Sequence, residues 1–303
     1  MAGTKEIKTH IASVQETRKI TNAMYLIAST KLRRARQELD NTRPYFEALR
    51  REIKRIFRTV EDEVVDSPYF YPLDGEPPLD KPSACLVITA DKGLAGAYNQ
   101  NAIREAMKLL GTHPDTKLYV VGEYGRRFFA SRGIPIERSF LYTAQNPTMA
   151  RAREISALLL DGFQRDELDR IYVVYTDMVN SMAYEARRTR VLPFHRAYFA
   201  DPTGAEAPVE TDFEFLPDVN SVLDSMMPSY VSGFIYSALI DSFCCEQQAR
   251  MTAMDSANQN AEKLLGELSL EFNRVRQSAI TQEITEVSAG ARAQKQKHRK
   301  EGG

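Results

Sequence analysis

Asn273-Arg274-Val275-Arg276-Gln277-Ser278-Ala279-Ile280-Thr281-Gln282-Glu283-Ile284-Thr285-Glu286 lies inside a stretch, Ser232 to Ala293, that holds no proline and only three glycines, Gly233, Gly266 and Gly290. Nothing there breaks a helix decisively. At about 1.5 Å per residue such a helix would reach roughly 90 Å, more than one globular domain can wrap. Met251, Met254, Ala261, Leu265, Leu268, Phe272, Val275 and Ala279 keep an alternating three and four spacing, with polar Asn258 in the same series. That is a narrow seam for a second helix, not the broad stripe a globular core requires.

The matching seam is at the other end of the chain. Ile7, Ile11, Val14, Arg18, Thr21, Tyr25, Ala28, Leu32, Ala35, Leu39, Thr42, Phe46, Leu49, Ile53, Ile56 and Val60 alternate by four and three without interruption, and only Arg18, Thr21 and Thr42 are neither apolar nor aromatic. The pattern predicts a first helix over about 4–58, with a bend or break at Pro44. The two terminal helices can then close as a long antiparallel coiled coil. Two ordinary amphipathic helices lying on one domain are the plainer alternative. The sustained length argues against it, because globular helices average roughly 11–12 residues and heptads kept over three or four repeats favour supercoiling.

Between the two ends the pattern changes. Residues 61–83 carry Pro68, Pro72, Pro77, Pro78 and Pro82 and read as an irregular connector. Ala84 to Thr89, Lys117 to Gly122 and Arg170 to Thr176 are short buried strands, and Thr189 to Phe194 is an edge strand because Pro193 cannot donate to a ladder. Helical patterns fall through Ile103, Met107 and Leu110, over Arg126 to Ser131, and over Glu154 to Phe163. Strand and helix in alternation predict an inserted Rossmann-like α/β domain with a mostly parallel sheet. The expected organisation is therefore an N-terminal coiled-coil helix (1–60), a connector (61–83), the α/β domain (84–217), a C-terminal coiled-coil helix (218–293) and a basic tail (294–303).

Composition sets the class. A chain of 303 residues, 43% hydrophobic and 27% charged, suits a soluble globular protein of about two domains. The net charge of -1 gives no reason to expect nucleic acid, yet residues 1–60 carry 14 Lys/Arg against 6 Asp/Glu. Lys31, Arg33, Arg34 and Arg36 form a basic cluster turned away from the Leu32/Ala35 seam, either a solvated face or a contact for an acidic neighbour. No apolar run is long enough to span a membrane and no signal-peptide core precedes the first helix. Three cysteines, two of them adjacent, supply no disulfide framework.

Catalytic patterns are missing. Gly93 and Gly96 follow a strand and invite a phosphate-loop reading, but neither GxxxxGK[ST] nor GxGxxG occurs. The four histidines have no metal spacing, and no nucleophile elbow or Ser/His/Asp order appears. Asp91 and Asp177 fall at strand C-termini, where a cap on the following helix is the simpler role for a carboxylate. No cofactor, metal or catalytic residue is expected.

The segment Ile280-Thr281-Gln282-Glu283-Ile284-Thr285-Glu286-Val287-Ser288-Ala289-Gly290-Ala291-Arg292-Ala293, with Phe272 to Gln277 before it, resembles the signature of the gamma subunits of F-type ATP synthases. Lys19 to Met24, Lys31 to Ala35, Asp91 to Gly96 and Arg250 to Met254 extend the resemblance over nearly the whole chain. It implies a central shaft, one copy per complex, that transmits proton-driven rotation of the membrane c-ring to a hexamer of alpha and beta subunits. The α/β domain would stand at the foot, against the epsilon subunit and the c-ring. Catalysis would lie in other subunits, and the complex would sit on the cytoplasmic side of a bacterial plasma membrane. The resemblance also implies that Arg250, Arg276, Gln277, Thr281 and Glu283 meet a beta-subunit loop, with Met24, Lys31 and Arg33 nearby on the first helix. Ser288, Ala289, Gly290, Ala291 and Ala293 would form a thin tip turning in an apolar collar. Residues 294–303 extend beyond the usual ending, as a disordered tail or a changed bearing.

Two further classes stay open on the residues alone. The α/β domain could bind a nucleotide through the 91–99 turn, or the basic first helix could serve a scaffold or nucleic-acid clamp.

Overall fold

The computed structural model describes residues 2–59, 67–71, 80–141, 144–179, 183–195 and 214–301. In chain order these form helix α1 (Ala2–Thr59), strands β1 (Phe70–Tyr71) and β2 (Ser83–Ile88), helix α2 (Tyr98–Thr112), β3 (Thr116–Val121), α3 (Glu123–Ser131), β4 (Arg138–Phe140), α4 (Met149–Gln164), β5 (Arg170–Met178), β6 (Tyr184–Leu192), β7 (Phe194–His195) and α5 (Val219–Glu301). Contacts divide the chain into two units, Met1–Ile27 with Met251–Gly303, and Ala28–Arg250.

The first unit is the predicted helix pair. Ile7, Ile11, Val14, Thr21 and Tyr25 are half-buried on α1, and Met251, Met254, Asn258, Ala261, Leu265, Leu268, Phe272, Val275 and Ala279 are buried or half-buried on α5. The polar members of the two seams meet each other: Thr21 Oγ1 donates to Asn258 Oδ1, and Arg18 pairs with Glu262 at 3.6 Å. Partners that rise in number on one helix fall on the other, so the pair is antiparallel. A half-buried hydroxyl facing a half-buried amide also penalises any register that would set either against an apolar residue. From Ile280 to Arg292 every side chain of α5 is exposed. The helix continues to Glu301, so the disordered-tail alternative does not hold for the described part of 294–303.

The second unit holds the α/β domain with the adjoining parts of both long helices. Its main sheet has the order β4-β3-β2-β5-β6, with β2, β3, β4 and β5 parallel and β6 antiparallel to β5. One face is covered by α2 and α3, which bury Ile103, Ala106, Leu109 and Phe129 against Cys85, Val87, Leu118, Val120, Tyr172 and Val174. Strands covered on both faces need apolar residues at consecutive positions, which is why β2 is fully buried along its length. Helix α5 also meets the domain: Thr176 N donates to Ser242 Oγ at 3.1 Å, and Ser156 and Ser232 share a hydrogen bond of 2.6 Å. Against α1, Gly233 is so close to the ring of Phe46 that a Cβ there would lie 2.0 Å from it. Cys85, Cys244 and Cys245 are free and buried. Burial pushes the Cys85 and Cys244 thiols up to about 12.

Several expectations need correction. Of the bend or break expected at Pro44, the break does not occur: α1 is continuous through this exposed residue, and one lost hydrogen bond is outweighed by seam contacts on either side. The strand expected at 189–194 is two strands: β6 starts earlier, at Tyr184, and stops at Leu192, and beyond Pro193 the chain pairs β7 with β1 in a separate parallel ladder. Strand β4 was not anticipated. Arg36 does not share the open face of Lys31, Arg33 and Arg34, because its guanidinium reaches Met178 Sδ at 3.5 Å. Residues 60–66 and 72–79 of the expected connector lie outside the described residues.

Candidate functional site

The C-terminal ends of β2 and β3 are where an open α/β sheet would receive a ligand. Asp91 fills that place itself. Its Oδ1 accepts from the backbone N–H of Glu123 at 2.9 Å, so Asp91 caps α3 across the sheet and not the helix that follows it in sequence. Glu123 in turn is clamped by Arg126 through two bonds of 2.6 Å and by Arg127 at 2.7 Å, and these guanidiniums hold its carboxyl at about 2. A helix N-terminus that would attract phosphate is thus neutralised by the chain's own carboxylates.

The 91–99 turn is also tied from within. Asn99 Oδ1 accepts from Ala90 N at 2.9 Å, while Thr89 Oγ1 donates to Val121 O at 2.8 Å and accepts from Gly125 N at 3.0 Å. Gly122 adopts φ 95°, and a Cβ there would come within 2.2 Å of Thr89 O, so only glycine fits. Asp177, the other strand-end carboxylate, pairs with Arg187 on β6 at 2.8 Å and caps no helix. What sequence suggested as a phosphate loop is a joint. Its outer carbonyl, Gly93 O, accepts from Arg250 Nη2 of α5 at 3.2 Å.

Arg250 has a second partner, Glu246 Oε1, at 2.6 Å, with both side chains nearly enclosed at 11% and 8% exposed. Burial pushes the Glu246 carboxyl up, and Arg250 beside it pulls it back. Sequence reasoning singled out Arg250 but missed Glu246; the i, i+4 spacing of opposite charges was its only signal. Lys31 and Arg33, in the same unit, are exposed.

The remaining residues lie on the helix pair. Met24 is half-buried beside the α1 seam, while Arg276, Gln277, Thr281 and Glu283 are exposed on α5. Gln277 and Thr281 are one turn apart, Thr281 Oγ1 donating to Gln277 O at 2.9 Å, and share a shallow groove with Arg274, Ser278, Gln282, Thr285 and Glu286. Arg276 and Glu283, seven residues apart, flank the seam line on another side. Helical periodicity therefore spreads the four around α5.

A family model described as ATP synthase matches residues 3–294. The ATP synthase gamma chain of Caldanaerobacter subterraneus subsp. tengcongensis is 38% identical over 296 residues, covering 95% of this chain and 99% of that one. The chain belongs to the ATP synthase gamma-chain family. Another gamma chain of this family, from Acetobacterium woodii, is 35% identical over 302 residues and is named as sodium ion specific. Solved structures share this fold. A chain of the Euglena gracilis mitochondrial ATP synthase (OSCP/F1/c-ring, rotational state 3) superposes with a TM-score of 0.65 at 15% identity, over 96% of this chain and 94% of that one. The central stalk/c-ring structure of the Tetrahymena thermophila enzyme gives 0.55 at 23% identity, over 78% and 99%. Among the described residues, no helix is long and apolar enough to cross a membrane.

Proposed function

We propose that this chain is the rotating central shaft of an ATP synthase, present once per complex, and that it carries torque between an ion-driven c-ring and a catalytic hexamer of alpha and beta subunits. It performs no chemistry itself. The observation that carries this reading, together with family membership, is α5 beyond Met251: a helix covered along one seam only, then exposed on all sides from Ile280 to Arg292. In this role the α/β domain stands against the epsilon subunit and the c-ring, peripheral to the cytoplasmic face of the membrane.

Arg276, Gln277, Thr281 and Glu283 on α5 form a surface that meets a beta-subunit loop, while Met24, which the pairing of Thr21 with Asn258 sets well away from Gln277 along the helix pair, meets the hexamer separately, as do Lys31 and Arg33 on α1. Since Gln277 and Thr281 lie on one side of α5 and Arg276 and Glu283 on another, one fixed loop cannot touch all four at once, but a turning helix offers the two sides in succession. A partner shifts a conformational equilibrium only through its differential contact with the states. Two unequal helices present a different profile to each beta subunit, so rotation changes nucleotide affinity at each site in turn. Arg and Gln suit a contact that must break and re-form, because several donors on a planar head can find shifted acceptors.

Gln277→Leu tests the surface. The side chain lies in water away from the seam, so stability should change by no more than about 0.5 kcal/mol. Coupled ATP turnover of the reconstituted complex should fall, and unchanged turnover would remove Gln277 from the contact. Co-purification tests the larger claim: a chain that stays folded, monomeric and unable to join an ATP-hydrolysing complex is not a shaft.

A further inference from the structure

In the second unit, α5 lies against the C-terminal end of β5, where Thr176 N donates to Ser242 Oγ at 3.1 Å. Next to that bond stand two carboxyls, Asp241 on α5 and Asp177 on β5, each within the other's field. Asp177 has a counter-charge in Arg187 of β6 at 2.8 Å, and Arg187 also reaches Glu185 at 3.5 Å. Among the described residues Asp241 has none: its Oδ2 accepts only from Ser237 Oγ, one turn back, at a long 3.4 Å. The cations that α1 brings to this place are engaged elsewhere. Arg43 is bonded to Glu47 at 2.7 Å and Arg36 to Met178 Sδ at 3.5 Å, while Asp40 adds another negative charge on the same side. The other titratable neighbours supply no charge, since Cys244 and Cys245 on α5 and Tyr175 on β5 are all pushed up, by burial first. A half-buried carboxyl that faces a like charge and has one weak donor favours its neutral form.

We propose that Asp241 is a proton-operated catch between α5 and the α/β domain: neutral, it lets the end of β5 close on α5, and ionised, it is repelled by Asp177 and drawn toward water and Arg43, so that the contact opens more often. Asp241 acts through the contact it closes and is a positioning residue. Burial first, and then the charge of Asp177, pushes its carboxyl up to about 6, whereas an open, hydrated contact returns it to the usual 3.8. The closed state therefore holds the proton more tightly. Closure is firmest below about 3.8 and weakens as pH rises through about 6. The catch also gives a purpose to Asp177, a strand-end carboxylate that caps no helix. Its consequence for coupling rests on the shaft reading above: domain and helix carry torque together, and acid fastens one to the other.

Amide exchange of the full-length chain in its complex tests the catch, with labelling between pH 4 and 8 scaled to the intrinsic exchange rate and residues 174–178 and 238–245 followed. In the parent, opening should grow on the order of fiftyfold over this range and level off above pH 7, as two states that bind the proton near 6 and near 3.8 require. Asp241→Asn keeps the shape and cannot ionise, so its protection should match the parent near pH 4 and stay flat. In Asp177→Asn, where Arg187 keeps Glu185, the parental change should be smaller and complete at a lower pH. Parent and Asp241→Asn profiles that run together overturn the catch, and so does an Asp177→Asn profile equal to the parent's, which decides alone if Asp241→Asn does not assemble. In inverted membrane vesicles, cations moved per ATP are read by a pH-sensitive dye for protons and by radioactive sodium. The shortfall of the parent against Asp241→Asn should widen from pH 5 to 8, and a constant ratio overturns the part of the catch in coupling. A parent chain that joins no ATP-hydrolysing complex sinks the shaft reading instead, and exchange of the free full-length chain then decides the catch.

Discussion

Between residues 230 and 250 no side chain of α5 is exposed, whereas from 251 to 279 only every third or fourth is covered and from 280 to 292 none is. The sequence changes in step. Phe234-Ile235-Tyr236-Ser237-Ala238-Leu239-Ile240 is apolar around almost the whole helix, as a helix covered on opposite sides must be, while Asp255 to Arg276 places charges on every face but one. One continuous backbone thus serves two purposes. The first region is held by the domain and by α1, and the second touches one helix and leaves the rest of its circumference for others.

An aspartate placed in each region should measure the difference most strongly. Ile240 is fully buried, and Ile240→Asp sets an unpaired charge among apolar neighbours at a cost of about 3–5 kcal/mol, read from urea unfolding. Leu268 is 7% exposed in the seam, and Leu268→Asp should cost several kcal/mol, because the seam likewise leaves a carboxylate without water or a counter-charge. Leu270, two residues on, is 74% exposed, and Leu270→Asp should stay within about 0.5 kcal/mol. Equal costs at 268 and 270 would mean the seam carries no load.

Periodic features were legible because they repeat. Every described α1 seam position is covered except Arg18, which reaches Glu262 from the seam's edge, and every α5 seam position is covered. Strands β2 and β3 begin one residue from their expected starts, because a short unbroken apolar run bounded by turn residues fits a strand buried on both faces and little else. What escaped was set by distant parts of the chain. Tyr184 to Arg190 does not read as a strand because its charges face outward along a sheet edge, where charge discourages further pairing. The two-residue ladder of β1 and β7 has no local pattern to detect. Burial of Arg250 depends on a carbonyl 157 residues earlier, and no spacing within α5 could announce it. The continuous cover of 230–250 was missed for a similar reason: apolar residues on all faces were seen only as absence of a helix breaker.

The covered region also encloses an ionisable group. Asp241 is half-buried in α5, and its carboxyl is pushed up to about 6, first by burial and then by the neighbouring charge of Asp177, with Ser237 and Arg43 opposing. The one-sided region keeps Asp255, Glu262, Glu267 and Glu271 in water. A folded pKa above the usual 3.8 means the native state holds the proton more tightly. Stability from this group is therefore full below about 3.8 and is lost as pH rises through about 6. Asp241→Asn should stabilise the chain at pH 7 by up to about 3 kcal/mol and make no difference near pH 4. Glu123 works in the opposite sense, since its carboxyl, drawn to about 2 by Arg126 and then Arg127, supports the fold above 4.5 and loses that effect as pH falls toward 2. Urea midpoints from pH 2 to 8 separate the two, and a parent-to-variant gap that does not widen with pH would show that Asp241 is hydrated after all.

The smallest effects give the sharpest comparison, because one chemical change should reverse sign along one helix. At Gly233 a Cβ would lie 2.0 Å from two ring carbons of Phe46, so the ring must swing or the helices must separate. Gly233→Ala should cost about 1–3 kcal/mol, as overpacking of a filled core does. At Gly266 a Cβ would meet nothing within 4 Å, leaving only the backbone term. Gly266→Ala should then gain about 0.8–1 kcal/mol, the helix preference of alanine over glycine. Both are read in the same urea series, and a loss at both positions would mean that α5 beyond Met251 is crowded on more than its seam, leaving a turning helix no free circumference to present.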